Sequence, residues 1–385
     1  MMIYLDNSAT TPLCDSAKKA INRAMDCYGN PSSLHYAGDS ARSLIESARR
    51  SVMNALEAKN GKLIFTSCGS EASNLAVLGT VNAKSRRTAN RIITTDSEHP
   101  SVSKTLEALT AQGFEIYRLK TRHGALDPSD VQEALSRPVF MASLMLVNNE
   151  TGAIYDVAQV FSEIKKKYPE AVCHCDAVQG FLKVKFTPDT LRADMISLSG
   201  HKIHAPKGVG ALWVSDRMIK EKRIVPTILG GGQENGFRSG TENTIGISAF
   251  GAAAEECSQS FSCDTDKMIE IRQYAVDKLS QIEGISFNLP GNAAPHILNL
   301  TLPNIKSQTM LNFLTAKGVC VSSGSACSSH SNKPSETLIA FGLTSLQADC
   351  SLRVSISRYT EKSDIDALAE ALLEGIKTLV RIKKR

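Results

Sequence analysis

Two segments of the chain carry strong nucleophiles. The first, residues 196–203 (Ile-Ser-Leu-Ser-Gly-His-Lys-Ile), begins apolar and reaches Lys202 as a strand does when it runs into a loop. The second, residues 322–327 (Ser-Ser-Gly-Ser-Ala-Cys), places the thiol of Cys327 among small residues, which predict a flexible loop. An amine that can form a Schiff base, together with a loop thiol, favours pyridoxal 5'-phosphate chemistry that removes sulfur from an amino acid.

A carboxylate and an imidazole follow other strand-like runs. Asp176 ends the run 172–176 and can pair with a pyridinium nitrogen, which keeps the ring an electron sink. Gln179 comes three residues later, within reach of the same ligand. His99 can stack on a planar ring and exchange protons near neutral pH. The structural alternatives are a helix N-cap for Asp176 and a hydrogen-bonded loop residue for His99.

Residues 68–74 (Cys-Gly-Ser-Glu-Ala-Ser-Asn) lie between a predicted strand and a predicted helix. Their small side chains leave backbone N–H groups open at a helix start, where the helix dipole favours a phosphate. The segment is neither a Walker loop nor a dinucleotide fingerprint, so a plain glycine turn with a serine N-cap is the alternative.

Apolar runs that predict strands alternate with amphipathic helical segments between about residues 60 and 215. The predicted strands are 62–66, 91–95, 139–147, 171–175, 195–198 and 210–214. The predicted helices include 71–83 and 100–112. This alternation is typical of an α/β fold, a mostly parallel sheet covered by helices. Ligands bind such sheets at the carboxyl ends of the strands, where Asp176 and Lys202 would both emerge.

Beyond residue 255 the pattern changes to a long helix over 266–282, followed by short strands and further helices. A chain of 385 residues exceeds the usual size of a single core. The sequence therefore predicts a second, smaller α+β domain that begins near residue 255.

The composition excludes several classes of function. A net charge of +5, dispersed without an RNA- or DNA-binding signature, argues against direct nucleic-acid binding. No apolar run approaches the roughly 20 residues of a membrane helix, and the first residues lack a signal-peptide pattern. We therefore expect a cytoplasmic protein with reduced cysteines and no membrane partner. We also expect no metal site, because strand alternation splits Cys173, His174 and Cys175 between two faces.

Nearly the whole chain resembles the pyridoxal phosphate-dependent cysteine desulfurases of the class V aminotransferase group. The segments that carry the resemblance are residues 4–12, 29–35, 148–152, 199–208, 238–243 and 322–327. The resemblance implies the PLP-dependent transferase fold type I, with a seven-stranded, mostly parallel sheet in a large domain over 13–254. Residues 1–12 and 255–385 would form the small α+β domain that carries the Cys327 loop.

The resemblance also implies how the cofactor is held. Lys202 would bind it as a Schiff base, Asp176 would face the pyridine nitrogen and His99 would stack on the ring. Gln179 and Asn149 would contact the ring hydroxyl side. The phosphate contacts would come from Gly69, Ser70, Ser199, His201 and, from the partner subunit of a homodimer, Thr241.

On the substrate side, the resemblance implies that Arg353 binds the carboxylate of L-cysteine and that Asn7 and Asn30 line the site. L-cysteine would become L-alanine, and its sulfur would remain as a persulfide on Cys327 for transfer to acceptor proteins. The segment from Cys327 to Pro334 resembles the longer loop of the housekeeping branch, which serves iron–sulfur cluster assembly or the thiolation of tRNA and cofactors. Cys327 could also contact a transferred iron–sulfur cluster.

Alternatives remain open at this point. A selenocysteine lyase or another class V aminotransferase would share the cofactor residues, but a transaminase needs no loop thiol such as Cys327. A protein that kept the fold and lost the chemistry is a further alternative, although every matched catalytic position is filled. Ser70 stands where threonine is usual and Asn235 where arginine is usual. His330 has no role in the resemblance, and the basic end 381–385 is either a solvated helix end or a docking tail.

Overall fold

The computed structural model describes residues 2–83, 89–324 and 334–381. Its helices are α1 (Asp15–Met25), α2 (Tyr36–Ala55), α3 (Gly69–Asn82), α4 (Pro100–Leu109), α5 (Pro128–Ala134), α6 (Val157–Lys167), α7 (Pro188–Leu191), α8 (Asp216–Lys220), α9 (Thr244–Gln259), α10 (Phe261–Leu279), α11 (Ser307–Ala316), α12 (Glu336–Phe341), α13 (Ser345–Asp349) and α14 (Lys362–Thr378). Its strands are β1 (Ile3–Tyr4), β2 (Lys62–Thr66), β3 (Arg91–Thr95), β4 (Glu115–Leu119), β5 (Val139–Met145), β6 (Val172–Asp176), β7 (Met195–Ser199), β8 (Gly210–Val214), β9 (Ser286–Phe287), β10 (Ile297–Thr301), β11 (Val319–Cys320) and β12 (Ser351–Ser355).

Seven strands form the main sheet in the order β2-β8-β7-β6-β5-β3-β4. Strand β8 pairs antiparallel with β2 and β7, and the other four pairings in the sheet are parallel. The prediction of a mostly parallel, seven-stranded α/β sheet is therefore confirmed.

Both faces of this sheet are buried, and β3, β6, β7 and β8 are buried at every residue. Alternate residues enter two different cores: Ala211 and Trp213 of β8 belong to one, and Leu212 and Val214 to the other. The first core also contains residues of α1, α2, α6 and α9, whereas the second contains residues of α3 and α4. Burial on both faces explains why these strands have nearly continuous apolar runs.

The structure departs from the predicted elements most clearly in four places, one of which is the long helix predicted over 266–282, which is α10 over Phe261–Leu279. Strand β4 was not predicted, because it lies at the edge of the sheet and most of its residues are partly exposed, so it lacks an apolar run. Strand β5 ends at Met145 rather than at residue 147, since Val147 instead forms a bridge with Ile154. Helix α4 ends at Leu109 and continues as a 3-10 turn over Thr110–Gln112.

A separate core combines Leu5 with residues between Met268 and Ile376. It packs around the antiparallel strands β12, β10 and β9 and the helices α10, α11 and α14. The division into residues 13–254 and 1–12 with 255–385 stays a prediction, and its inner boundary falls within α9. From this core the N-terminal segment runs past β12, where Asp6 forms a bridge with Ser355, toward the carboxyl ends of the main sheet.

Across the described ranges, no helix combines the length and the apolar character that crossing a membrane requires.

Candidate active site

A cavity of about 200 Å³ opens where β5, β6 and β7 end and α3 and α4 begin. Ten of the predicted site residues line it: Gly69, Ser70, His99, Asn149, Asp176, Gln179, Ser199, His201, Lys202 and Arg353. Asn7, Asn30 and Thr241 do not line it. Cys327 and His330 lie outside the described residues.

Lys202 follows β7, and its side chain contacts the N-terminal segment. Its Nζ donates hydrogen bonds to the backbone oxygens of Ser8 at 2.5 Å and Ala9 at 2.7 Å. The same Ser8 oxygen accepts a hydrogen bond from Gln179 Nε2 at 2.9 Å. Two residues that are 23 positions apart in the chain therefore meet at one carbonyl group, which closes one side of the cavity.

Asp176 is the last residue of β6, which pairs parallel with β7. This pairing explains why the Asp176 carboxylate and the Lys202 amine reach the same end of the sheet. Asp176 Oδ1 accepts a hydrogen bond from the Val178 backbone N–H at 3.0 Å. Burial raises the pKa of Asp176 to about 6, against the opposing effects of that hydrogen bond and of Lys202. A cationic group beside Asp176 would lower this pKa again.

His99 is the N-cap of α4. Its Nδ1 accepts a hydrogen bond from the Ser101 backbone N–H at 3.1 Å and lies 2.8 Å from Ser101 Oγ. Because Nδ1 is an acceptor, the single proton of the neutral ring is on Nε2. Burial, with a smaller effect of Lys202, lowers the pKa of His99 to about 4, so the ring is neutral at physiological pH. His99 thus presents a neutral aromatic ring with one N–H donor.

The glycine-serine turn begins α3 beside Ser199. Cys68, the N-cap of this helix, makes no side-chain hydrogen bond to its first turn. Ser199 Oγ is buried and has no hydrogen-bond partner among the described residues. A Cβ atom at Gly69 would come within 2.8 Å of Val178 Cγ2 and 3.2 Å of Ser199 Cβ, so only glycine leaves this space open. The open helix start and the unpartnered hydroxyl together form a cradle for an anion.

Arg353 lies in the middle of β12 and is 1% exposed. Its Nη1 donates to the Asn149 backbone oxygen at 2.8 Å, and its Nη2 pairs with Asp6 Oδ1 at 2.7 Å. Its Nε is buried and has no acceptor among the described residues. The guanidinium is therefore held in place from two sides, and its Nε–H remains for a ligand.

Glu98, which we did not predict, is buried next to the cavity. Its Oε1 accepts hydrogen bonds from Thr95 Oγ1 at 2.8 Å and from the Met145 backbone N–H at 2.9 Å. These two bonds join the last residues of β3 and β5, beyond the last pairing of the two strands, Ile93 with Ala142. Burial, with a smaller effect of the neighbouring Asp176, raises the pKa of Glu98 to about 8. Nothing in the sequence around Glu98 indicates that its carboxyl group is buried beside the site.

The three predicted residues that do not line the cavity have different surroundings. Asn7 is buried next to it, and its Nδ2 donates to the Ser355 backbone oxygen at 2.9 Å. Asn30 is exposed, and its Oδ1 accepts from the Ser32 backbone N–H at 2.9 Å. Thr241 is also exposed, in a smaller cavity of about 120 Å³ that it shares with Ser67.

Two further sequence features have a plain structural explanation. Asn235 has a φ of 56°, a left-handed conformation that asparagine tolerates better than most side chains, including arginine. His174 is buried in β6 with Nδ1 2.8 Å from Ser143 Oγ and Nε2 2.8 Å from Ser197 Oγ. Both ring nitrogens are engaged, and the described part of the chain contains no group of three His, Cys, Asp or Glu side chains that could hold a metal ion.

The cavity also includes residues that sequence reasoning missed. They are Ser8, Ala9, Cys68, Ser101, Met145, Val147 and Val178. Ser8, Ala9 and Cys68 lie inside segments that carry the resemblance or the phosphate turn, so their sequence position was a usable signal. For the apolar residues Met145 and Val147, the sequence indicated only the end of a buried strand.

Comparison with known proteins assigns the chain to a family. The family described as Aminotransferase class-V matches residues 3–368. The chain belongs to this class V aminotransferase family. A relative named cysteine desulfurase IscS, from Dictyoglomus turgidum, is 36% identical over 389 residues, covering 99% of this chain and 97% of the relative.

Two solved structures resemble this chain over nearly its whole length. One, described as a NifS-like protein, superposes with a TM-score of 0.90 and is 31% identical, covering 98% of this chain and 100% of its own. The other is described as SspA in complex with cysteine; its TM-score is 0.79 at 30% identity, covering 93% of this chain and 99% of its own. The predicted fold family is confirmed by these neighbours.

Class V aminotransferases are pyridoxal 5'-phosphate enzymes, and the cavity fits this cofactor. The unpartnered Ser199 hydroxyl and the open start of α3 suit a phosphate. Asp176 suits a protonated pyridine nitrogen, and the neutral ring of His99 suits stacking on an aromatic system. The primary amine of Lys202 is the group that reacts with an aldehyde.

Proposed function

We propose that this protein is a cysteine desulfurase that converts L-cysteine to L-alanine and holds the sulfur as a persulfide on Cys327. The observation that supports this most directly is the meeting of Lys202, Asp176 and His99 around one cavity with a buried arginine, Arg353. The similar proteins named cysteine desulfurase, and the neighbour described in complex with cysteine, support the same reaction.

In this proposal nine of the residues that line the cavity have a role toward pyridoxal 5'-phosphate. Lys202 binds the cofactor covalently and moves the proton at the substrate α-carbon. Asp176 keeps the ring nitrogen protonated, and His99 packs on the ring with its proton on Nε2. Gly69, Ser70, Ser199 and His201 bind the phosphate, and Gln179 and Asn149 contact the ring hydroxyl side. When bound, the cofactor withdraws electrons from the substrate α-carbon, which allows the bond between Cβ and sulfur to break.

Arg353 would bind the carboxylate of cysteine. A guanidinium and a carboxylate form a charge-assisted hydrogen bond, and the pairing with Asp6 and with the Asn149 oxygen restricts where the Arg353 side chain can lie. A carboxylate that accepts from Nε would satisfy the one buried donor of this residue that has no acceptor among the described residues. Asn7, whose Oδ1 is also buried without a described partner, and Asn30 remain proposed substrate-side residues.

The thiol of Cys327 would attack the substrate sulfur. Ser322 exchanges two backbone hydrogen bonds with Arg353, at 3.1 Å and 2.7 Å, so the chain that follows β11 passes beside β12 at a residue that lines the cavity. Cys327 is three residues after Gly324, in the segment that follows Ser322.

The reaction balances without an external oxidant. The bond between the substrate Cβ and its sulfur breaks, and a sulfur–sulfur bond forms on Cys327. The sulfur of Cys327 and the substrate sulfur are each oxidised by one electron to the persulfide level, while the substrate Cβ is reduced by two electrons and takes up a proton to become the methyl group of alanine. A second thiol, on an acceptor protein or a reductant, then removes the outer sulfur.

We further propose that the working form is a homodimer. Thr241 and Asn30, both expected at the active site, are exposed and lie outside the cavity of their own chain. The large side chains of Tyr28, Leu34 and Tyr36 are 87%, 92% and 83% exposed, and such apolar exposure is typical of a surface that another chain covers. Acceptor proteins of iron–sulfur cluster assembly or of tRNA or cofactor thiolation, and a cytoplasmic location, remain predictions.

A first experiment tests the reaction. Purified protein should be yellow, and it should release alanine and sulfide from L-cysteine in equal amounts when a reductant is present. A Lys202→Ala variant should lose the colour and the activity, because the amine is needed for both. Yellow wild-type protein that transfers an amino group from cysteine without releasing sulfide would instead indicate a transaminase.

A further inference from the structure

The turn of residues 67–70, which connects β2 to α3 and would bind a phosphate, is held at its first residue by Glu71. Glu71 lies in the first turn of α3. Its Oε2 accepts hydrogen bonds from the Ser67 backbone N–H at 2.9 Å and from Ser67 Oγ at 2.5 Å. The carboxylate therefore joins the two ends of the turn.

The same carboxylate is bound from a distant part of the chain by Arg238. Arg238 Nε donates a hydrogen bond to Glu71 Oε1 at 2.9 Å, and Nη2 donates to Oε2 at 3.4 Å. The two side chains are 23% and 15% exposed, so most of the pair is shielded from solvent. Burial opposes the ionisation of Glu71, but the hydrogen bonds from Arg238 and Ser67 outweigh it and lower the pKa of this carboxyl below its ordinary value. Glu71 is thus an anion with both oxygens engaged.

The segment that carries Arg238 is itself anchored to the strand that precedes the turn. Strand β2 is at the edge of the sheet, and the outward N–H of Phe65 donates to Glu234 Oε2 at 2.9 Å instead of to another strand. Glu234 also pairs with Arg49 Nη1 at 2.7 Å, and its side chain is 2% exposed. The residues from Glu234 to Arg238 therefore connect β2 to α3 and span the turn between them.

We propose that Arg238 is a positioning residue, which acts through Glu71 to hold the turn of residues 67–70 in the shape that binds the cofactor phosphate. Neither Arg238 nor Glu71 lines the cavity, so neither is expected to touch the cofactor itself. The inference rests on the phosphate contacts proposed above for Gly69 and Ser70. A turn that is already ordered binds an anion more tightly, because binding then does not have to restrict the backbone.

Positioning and a simple charge effect predict opposite results at Glu71. By charge alone, losing the Glu71 anion would strengthen the binding of a phosphate, and losing the Arg238 cation would weaken it. If the pair positions the turn, either loss frees Ser67 and weakens binding. The double variant should then bind no more weakly than the single variants, because both remove the same interaction.

The experiment measures the dissociation constant of pyridoxal 5'-phosphate by titration of the cofactor-free protein. We expect this constant to rise about tenfold in Arg238→Met, in Glu71→Gln and in the double variant, the scale of one lost charge-assisted hydrogen bond. Arg238→Lys keeps the charge but loses the two-point contact, so it should also bind more weakly than wild type. Arg217→Met, which removes an arginine paired with Glu170 at the opposite end of β6, is the matched control and should bind as wild type does.

Two further readouts separate positioning of the phosphate turn from a general loss of structure. Pyridoxal, which lacks the phosphate, is titrated into the same variants, and its dissociation constant should change less than about twofold. The free energy of unfolding of each cofactor-free variant is measured alongside, because an ion pair that only stabilises the fold would lower this free energy and leave both dissociation constants unchanged.

The proposal is overturned if Glu71→Gln binds pyridoxal 5'-phosphate more tightly than wild type, or if Arg238→Lys binds it equally well, since charge would then explain the data. It is also overturned if the affinity for pyridoxal falls as much as that for its phosphate. Ser199→Ala tests the underlying site: unchanged affinity there would refute the proposed phosphate site and this inference with it. A weakened Ser199→Ala beside an unchanged Arg238→Met would refute this inference alone.

Discussion

At the scale of single residues, the site depends on burial that changes the charge of its acids and bases. His99 is neutral because it is buried, and its Ser101 contacts place the remaining proton on Nε2. Asp176 and Glu98 are carboxyl groups that bind their protons more tightly than in an unfolded chain. A cofactor with a protonated ring nitrogen would lower the pKa of Asp176 again, because a nearby cation favours the ionised carboxylate. Asp176 would then be an anion that binds this cation in the holoenzyme.

The raised carboxyl pKa values predict how the stability of the cofactor-free protein depends on pH. The ordinary values are 3.8 for Asp176 and 4.5 for Glu98, and the folded values are about 6 and about 8. The stability that these groups contribute is complete below their ordinary pKa values and is lost as the pH rises through the folded ones. The free energy of unfolding, from denaturant titrations between about pH 5 and about pH 8, should therefore fall.

Glu98→Gln should make this fall smaller, because the amide keeps the acceptor for Thr95 and Met145 but cannot lose a proton. Glu283→Gln, at an exposed position, serves as the control and should leave the pH dependence unchanged. An equally steep fall in the Glu98→Gln variant would show that this carboxyl does not titrate in the folded protein over that range.

The contacts of Arg353 predict that replacing this residue weakens substrate binding without changing cofactor binding. Lysine at this position keeps the charge but cannot reach Asp6, the Asn149 oxygen and a carboxylate from one planar group. We expect Arg353→Lys to raise KM for cysteine about tenfold or more while cofactor absorbance stays the same. Arg358→Lys, which changes a partly buried arginine paired with Glu256 outside the cavity, is the control. Equal changes of KM in the two variants would argue against a carboxylate contact at Arg353.

At the scale of elements, the sheet places its functional side chains where strands end. Parallel pairing of β6 with β7 brings Asp176 and Lys202 together, and α3 and α4 start at the same edge with Gly69 and His99. This arrangement could be predicted, because buried parallel strands have apolar runs that end in polar loops. The edge strand β4 could not, since a partly exposed strand has no such run.

The start of α3 gives a prediction about cofactor affinity. Gly69→Ala would place a Cβ atom 2.8 Å from Val178 and 3.2 Å from Ser199, which must move the phosphate cradle. We expect the dissociation constant of the cofactor, from titration of the cofactor-free protein, to rise about tenfold or more. Gly291→Ala, where no atom lies within 4 Å, is the matched control and should bind as wild type does. Unchanged affinity in Gly69→Ala would mean that the phosphate binds elsewhere.

At the scale of the whole molecule, the contacts that complete the site join distant parts of the chain. Arg353 is held by Asp6, and Lys202 by Ser8 and Ala9, so the first residues of the chain close a cavity built from its middle and its end. The resemblance predicted Lys202 and Arg353 themselves but not these partners. Glu98 was also missed, because its contacts depend on packing between segments that sequence spacing does not relate.

The exposed position of Thr241 predicts complementation between subunits. Lys202→Ala removes the amine of its own site, and Thr241→Asp should repel the phosphate in the partner's site. In a dimer of one chain of each kind, one site then has both wild-type residues. Co-expressed chains that mix at random should show about a quarter of the wild-type activity, although each variant alone is nearly inactive. Activity no higher than that of the separate variants would contradict a site shared between two chains.

The central claim is that Cys327 receives the sulfur of cysteine in a reaction that depends on Lys202. The most direct measurement is mass spectrometry of the peptide that contains Cys327, after the holoenzyme has reacted with L-cysteine without reductant. The account predicts that this peptide gains one sulfur atom in step with the formation of alanine, and that Cys327→Ser stays yellow but gains no sulfur and turns over no cysteine. Alanine and sulfide formed at the wild-type rate by Cys327→Ser, with no sulfur on the wild-type peptide, would contradict it.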